Sequence, residues 1–170
     1  MSRGFVKEDD QEEAPFVPPR AALPDGVANY VTPRGLERLL AERLQLEEAR
    51  AKAAGSDMDR RRTQAELDGR LALLNERILT ARIVEAEPGK VSEVRFGTQV
   101  TFEHQVGRLK GTAFTFTIVG VDEASVKEGT IAFTSPLARA LMGRRKGQVA
   151  ALQLGSELQR LKVVALVQPH

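Results

Sequence analysis

Leucines recur at helical spacing soon after residue 30. Thr32 followed by Pro33 is typical of a helix start, because the hydroxyl can cap free amides and proline suits the first helical position. The apolar pattern runs into an alanine-rich stretch that ends at Gly55. The pattern predicts a helix over residues 33–54. Its apolar positions are Leu36, Leu39, Leu40, Leu44 and Leu46.

A second helix is predicted from about Ser56 or Asp57 to Val84. Its apolar positions alternate in steps of four and three residues, which is the seam of a coiled coil. Two helices joined by a short glycine-containing turn form an antiparallel hairpin. The seam becomes polar towards Gly55, so we expect the turn to project into solvent. The seam positions are Leu67, Leu71, Leu74, Ile78 and Ala81.

After Glu87-Pro88-Gly89-Lys90 the period of the apolar residues changes to two, which indicates strands. Glycines at 107 and 111 suit a hairpin loop between the first two strands. Ser135-Pro136 predicts a short helix that ends before Gly143. The alternating positions are Val100, Phe102 and His104, then Phe114, Phe116 and Ile118, and later strands are predicted at 130–133, 149–154 and 158–167.

These elements predict an α+β protein: a helical hairpin over residues 31–86 and a small antiparallel sheet with one short helix over residues 87–170. Residues 1–30 combine an acidic cluster with four prolines and few apolar side chains. Such a stretch cannot offset its ordering entropy, so we expect a disordered or extended, solvated tail rather than a docking peptide.

The composition excludes several kinds of site. The chain has 170 residues and no cysteine, so it has neither a disulfide nor a thiolate zinc site. Its two histidines are too few for a His-rich metal centre or a catalytic triad, and we assign His104 to the sheet surface. No apolar run approaches the roughly 20 residues of a membrane span. A secretory signal is also absent, so we expect a cytoplasmic protein.

The charge distribution argues against direct binding of nucleic acid. The net charge is −3 over residues 1–31, +1 over 32–86 and +4 over 87–170. This excess is far below the basic stripe that phosphate-driven binding requires. Seven Phe, one Tyr and no Trp also offer few platforms on which bases could stack.

The turn of the hairpin is the first candidate for chemistry. Asp57 and Asp59 could help hold a hard divalent cation such as Mg²⁺ in a partner's site, because such cations prefer oxygen ligands. The same residues, with Ser56, also suit the start of a helix, where a cap and negative charge are stabilising. On residue chemistry the cap interpretation is favoured.

A basic cluster near the short helix is the second candidate. It is either a partner-binding surface or a solvated face, and residue chemistry leaves both open. The cluster consists of Arg139, Arg144, Arg145 and Lys146.

Several stretches resemble the bacterial GreA/GreB transcript-cleavage factors. The opening Val31-Thr-Pro-Arg-Gly-Leu36 is similar to the start of the coiled coil in that family, and the resemblance covers roughly residues 30–168. The most specific run is Ser-Pro-Leu-Ala-Arg-Ala-Leu-Met-Gly, which ends at Gly143. The stretches similar to the family's C-terminal domain are Phe116-Thr-Ile-Val-Gly-Val-Asp-Glu-Ala124, Gly129-Thr-Ile-Ala-Phe-Thr-Ser-Pro-Leu-Ala-Arg-Ala-Leu-Met-Gly143 and Gly147-Gln-Val149.

The resemblance implies an N-terminal coiled-coil hairpin, an FKBP-like C-terminal domain and bacterial RNA polymerase as the partner. Family members bind polymerase through the C-terminal domain and insert the hairpin into its secondary channel. Acidic residues at the tip there help to position a catalytic Mg²⁺, so the polymerase's own active site cleaves backtracked RNA. The chain itself is then no enzyme, and it meets nucleic acid only through the elongation complex. By position, the residues that dock on polymerase are Thr134, Ser135 and Pro136, with the helix that follows.

The tip departs from the family pattern. Cleavage-competent tips typically read G-D-x-S-E-N, whereas this turn reads Gly55-Ser-Asp-Met-Asp-Arg60 and two further arginines follow. The hairpin is also shorter than the usual one. We therefore expect polymerase binding and leave two activities open: stimulation of RNA cleavage, or a non-cleaving regulator that occupies the channel and modulates or inhibits transcription.

Two other classes of function are compatible with parts of the chain. An FKBP-like fold could catalyse prolyl isomerisation, which needs an aromatic-lined pocket. We expect the rings of the C-terminal part to be committed to its core instead. A coiled-coil adaptor would self-associate through its leucine seam, whereas a Gre-like hairpin satisfies its own seam and is expected to be monomeric. The rings in question are Phe96, Phe102, Phe114, Phe116 and Phe133.

Overall fold

The computed structural model describes residues 14–87 and 89–169. Two helices come first, followed by a sheet that includes one short helix, which confirms the predicted α+β class. Within the described part of the chain, no helix combines the length and the apolarity that a membrane span requires. The acidic cluster of the predicted tail lies outside the described residues.

The helical hairpin consists of α1 (Pro33–Ala51) and α2 (Asp57–Thr80). At 1.5 Å per residue, α1 is about 28 Å long and α2 about 36 Å long. Two-residue strands precede and follow the helices: β1 (Tyr30–Val31) and β2 (Arg82–Ile83) pair in parallel. We call the end beside these strands the base, and the turn over residues 52–56 with the first turn of α2 the tip.

The helices end earlier than the sequence predicts. The amide of Arg82 donates to the carbonyl of Asn29 at 2.8 Å, and that of Val84 donates to the carbonyl of Val31 at 2.9 Å. These bonds draw residues 82–84 into a strand, so α2 ends at Thr80 rather than Val84. Backbone pairing with a distant segment is invisible to helical periodicity.

The apolar seam is buried at the base and opens towards the tip. Its centre is Val31, Leu39 and Leu74, which are 1%, 3% and 0% exposed. Leu40 and Leu44, two of the predicted apolar positions of the first helix, are 39% and 57% exposed. A helix that faces a single partner buries one stripe, and these two leucines lie outside it. The residues packed around the centre are Leu36, Leu46, Ile78 and Ala81.

The C-terminal sheet has five strands in the order β5-β4-β3-β7-β6. Every strand predicted in this part forms, and the predicted short helix, α3, spans Pro136–Leu141. The strands are β3 (Gln99–His104), β4 (Ala113–Val119), β5 (Thr130–Ala132), β6 (Val149–Leu154) and β7 (Glu157–Val167).

The sheet is mixed, which corrects the prediction of an antiparallel sheet. β3 pairs antiparallel with β4 and β7, and β6 pairs antiparallel with β7, but β4 and β5 are parallel. A tight turn can join only antiparallel strands, whereas parallel ones need a longer crossover. The segment between Val119 and Thr130 supplies that crossover and includes a 3₁₀ turn at Val126–Glu128.

His104 belongs to the interior of the sheet domain, so its assignment to the sheet surface was wrong. It alternates with Val100 and Phe102 on the buried face of β3 and is 9% exposed. Its Nδ1 lies 3.2 Å from Oε1 of Gln159. The ring centroid of Phe114 is 5.5 Å away. His104 is thus a packed and hydrogen-bonded side chain of the core.

Residues 14–29 form neither helix nor strand and lie against the hairpin. The guanidinium of Arg20 binds carboxylates of α1 and of the loop after β4. The side chain of Val17 approaches Gly69 so closely that a Cβ there would meet it. A purely solvated tail makes no such contacts, so that expectation is wrong for this segment. Its few apolar and cationic groups find partners that only the folded hairpin assembles.

Candidate functional site

The tip presents its two aspartates at the exposed start of α2. Ser56 caps the helix, since its hydroxyl accepts a hydrogen bond from the amide of Asp59 at 3.2 Å. Asp57 is bound by Arg60, with Nη2 2.9 Å from Oδ1, although the Asp57 side chain remains 79% exposed. Gly55 takes a φ of 110°, which favours glycine in this tight connection. The cap interpretation therefore matches the observed hydrogen bonds.

A metal site at the tip stays a prediction. In the described part of the chain, no three His, Cys, Asp or Glu side chains cluster closely enough to hold a metal ion among themselves. The two aspartates could contribute only part of a coordination shell, with other ligands supplied by a partner. Arg60 already uses one oxygen of Asp57, and Arg61 and Arg62 are exposed beside it.

The region predicted to dock on polymerase is the start and the end of α3. Ser135 is the N-cap and accepts from the amide of Ala138 at 3.2 Å, while Pro136 occupies the first turn. α3 packs on the sheet through Ala138 and Leu141, both 0% exposed. The opposite face of α3 is therefore held rigidly towards solvent.

The basic cluster lies on α3 and in the turn that follows it. Its four side chains are exposed, and no carboxylate among the described residues forms a salt bridge with them. The backbone amide of Arg145 donates to Oε1 of Gln148 at 2.8 Å and shapes the turn after α3. Thr134, Ser135 and Pro136 precede the cluster along the chain, so all the predicted docking residues belong to α3 and the segments next to it. The residues of the basic cluster are Arg139, Arg144, Arg145 and Lys146.

The joint between hairpin and sheet was missed by sequence reasoning. Glu123, 8% exposed, accepts hydrogen bonds from the amides of Thr32 and Gly120, both at 3.1 Å, and from the Thr32 hydroxyl. Its negative charge lies at the N-terminus of α1, where the helix dipole favours it. A Cβ at Gly35 would come within 2.6 Å of Oε1 of Glu123, and one at Gly120 within 2.6 Å of the Tyr30 carbonyl oxygen. At Gly120 the obstacle is backbone, so only glycine fits, whereas a side chain at Gly35 would push the Glu123 carboxylate away from its hydrogen bonds.

Aromatic rings complete the joint. The ring of Tyr30 lies 6.1 Å from that of Phe96 and 5.6 Å from that of Phe133, and the last two are 5.6 Å apart. Phe102 and Phe116 do stack within the sheet domain, as expected. Phe133 also packs against the core of the sheet domain, as expected, but both it and Phe96 contact Tyr30 of β1, which the prediction missed. Phe114 is 36% exposed, so its assignment to the core was wrong. Two adjacent acids after a buried strand, in a segment of positive net charge, were the available signal for this joint.

Comparison with known proteins identifies the family. A model of the family described as "Transcription elongation factor, GreA/GreB, C-term" matches residues 88–168. The transcription elongation factor GreA of Verminephrobacter eiseniae is 33% identical over 155 residues, which cover 80% of this chain and 95% of that protein. GreA of Methylococcus capsulatus is 34% identical over 109 residues, covering 62% of this chain and 66% of that protein.

Among solved structures, GreA factor homolog 1 of Thermus thermophilus matches with 23% identity and a TM-score of 0.39, covering 83% of this chain and 99% of that one. The match to the V. eiseniae protein extends over nearly all of that relative and over both the hairpin and the sheet domain of this chain. The chain therefore belongs to the GreA/GreB family of transcription elongation factors.

Proposed function

We propose that the chain is a Gre-like transcription factor that binds RNA polymerase, places its hairpin in or near the secondary channel and does not stimulate RNA cleavage. Family membership and the exposed cations on and after α3 support polymerase binding. The single observation that carries the second half is the ion pair between Asp57 and Arg60, 2.9 Å at the tip.

Electrostatics favour this reading of the tip. A shared Mg²⁺ requires carboxylate oxygens that are available to the ion. Arg60 occupies one oxygen of Asp57, and Arg61 and Arg62 add positive charge within two residues. Like charges repel an approaching cation, so the tip is better suited to occupy a channel than to deliver a metal ligand.

The docking half is tested by capture of core polymerase with the full chain. Pro136→Ala combined with Arg139→Ala is expected to reduce capture at least several-fold, because it alters the α3 start and removes an exposed cation. Arg108→Ala removes an equal charge from the β3–β4 loop and is the matched control. Capture that is unchanged by the double substitution, or no capture by the parent chain, would contradict the proposed surface.

The tip half is tested with stalled, backtracked elongation complexes and Mg²⁺. We expect the parent chain to leave the RNA 3′ ends intact while it slows or blocks RNA synthesis. Arg60→Ala frees Asp57, so this variant is expected to gain stimulation of RNA cleavage. Shortened RNA with the parent chain, lost in Asp57→Asn/Asp59→Asn, would overturn the proposal in favour of cleavage stimulation.

Within this proposal the chain is a monomer without enzyme activity of its own, and any Mg²⁺ belongs to the polymerase site. Sedimentation checks the first statement, since an adaptor that pairs through its seam would dimerise. A peptide isomerisation assay checks the remaining FKBP-like alternative.

A further inference from the structure

Arg20 binds carboxylates on two parts of the molecule at once. Its Nη1 and Nη2 donate to the two oxygens of Glu42 in α1 at 2.8 and 3.1 Å, and its Nε donates to Asp122 after β4 at 3.0 Å. A guanidinium is planar and presents its donors as a rigid fork, so these bonds also restrain direction. One side chain thus ties residues 14–29, α1 and the sheet domain together.

α2 is attached to the same carboxylate. Arg77 donates from Nη1 to the second oxygen of Asp122 at 3.2 Å, and from Nη2 to the backbone carbonyl of Ala21. Asp122 therefore lies between two guanidinium groups that come from different segments.

Most of the cluster is shielded from solvent, although the Glu42 side chain at its edge is 41% exposed. The side chains of Arg20, Arg77 and Asp122 are 18%, 14% and 5% exposed. Salt screens partly buried pairs much less than surface pairs. Hydrogen bonding to Glu42, followed by the nearby Asp122 charge and opposed by partial burial, holds the pKa of Arg20 above its ordinary value. Arg20 therefore stays charged under all ordinary conditions.

The position of Glu42 distinguishes this cluster from the rest of the joint. The bonds of Glu123 and the rings around Tyr30 all contact residues 30–35, close to the start of α1. Contacts at one end of α1 fix the position of that end but do not fix the angle between the hairpin and the sheet domain. Glu42 lies nine residues beyond Pro33, about 13 Å along the helix. A bond at that distance from the start of α1 restrains the angle of the hairpin. Arg38 and Glu128 also bridge the two parts at 3.0 Å, but they are 44% and 51% exposed.

We propose that Arg20 is a positioning residue: by binding Glu42 and Asp122 together, it fixes the angle at which the hairpin leaves the sheet domain. The first described residues of the chain then serve as a strap that aims the tip. This inference is independent of the proposed function, because it concerns the chain alone.

Distance measurement between two spin labels tests it on the full chain. Because the chain has no cysteine, thiol-reactive labels attach only to cysteines that are introduced. We place one by Met58→Cys at the tip, where the residue is 64% exposed, and one by Ser156→Cys in the exposed β6–β7 turn. We expect a narrow distribution for the parent pair. Arg20→Ala should shift it or make it roughly twice as wide, because a joint released on one side populates several angles.

Controls separate aiming from general stability. Arg50→Ala breaks an ion pair that lies wholly within the hairpin and should leave the distribution unchanged. Arg20→Lys keeps the charge without the fork and should give an intermediate width. Glu42→Gln weakens the same contact from α1 and should reproduce the widening even if Arg20→Ala folds poorly.

Circular dichroism confirms that each variant keeps its helices. Distributions for Arg20→Ala and Glu42→Gln that coincide with the parent would overturn the proposal. An equal widening in Arg50→Ala would do so as well, since that change does not touch the strap.

Discussion

Base and tip of the hairpin hold their carboxylates in opposite environments. At the base, Asp122 has a side chain 5% exposed between two arginines, and Glu123 is 8% exposed with three hydrogen bonds. At the tip, Asp57 is 79% exposed and has one arginine partner. A buried carboxylate must have its partners in place because desolvation is costly, whereas an exposed one can exchange them for water or ligand. The acids at the base are therefore structural, whereas at the tip the ion pair with Arg60 decides how far Asp57 is available to a partner.

Truncating the seam at the base is expected to have the largest effect. Leu74 is 0% exposed, so Leu74→Ala leaves a cavity and should lower the free energy of unfolding by about 2–5 kcal/mol. Leu79→Ala makes the same chemical change in the same helix at a side chain that is 86% exposed, and its effect should stay within about 0.5 kcal/mol. Urea unfolding of both variants measures the difference, and equal losses would contradict the buried seam.

Removing the two helix caps sharpens the comparison. Ser56→Ala at the tip loses one exposed hydrogen bond and should cost about 1 kcal/mol. Thr32→Ala at the base also loses a cap, to the Gly35 amide at 2.9 Å, and it leaves buried Glu123 without one donor. We expect about 2–3 kcal/mol there, because an unsatisfied buried group adds its desolvation penalty.

Thr32→Ser keeps the hydroxyl and is the control for the base. Urea midpoints again provide the measurement. A Thr32→Ala loss no greater than that of Ser56→Ala would show that Glu123 gains nothing from the hydroxyl.

Acidification should produce the smallest change in the free energy of unfolding, through the exposed ion pair between Arg50 and Asp68 of the hairpin. Hydrogen bonds from Arg50, with Nε 2.5 Å from Oδ1, lower the pKa of Asp68. The folded-state pKa then lies below that of the unfolded chain, so the pair contributes its stability above pH of about 4. That contribution is lost as the pH falls through the folded-state pKa.

Both side chains of this pair are solvent-accessible, so the effect should also weaken in high salt. Urea unfolding of the parent and of Asp68→Asn at several pH values measures the difference between their free energies of unfolding. A difference that is constant across the acid range would rule the ion pair out as its source.

The candidate site was predictable where it depends on neighbouring residues. Ser56 and Ser135 were expected as caps and are caps, because a hydroxyl and an amide three residues on meet within one helical turn. The residues predicted to dock on polymerase share one region because they follow each other along the chain. Arg20, Asp122 and Glu123 could not be assigned in this way, since their partners lie far away in sequence.

The sequence by itself determined the three α-helices and the five strands of the sheet domain in their order along the chain, because caps, glycines and apolar periodicity act between residues a few positions apart. Only the tertiary structure decided that β5 joins β4 in parallel, that His104 is buried and that α2 ends at Thr80. It also decided that Glu123 fits against Gly35. Each of these depends on a contact between distant segments, where burial and hydrogen bonding outweigh local preference. Folding creates such a contact, so no local pattern in the chain encodes it.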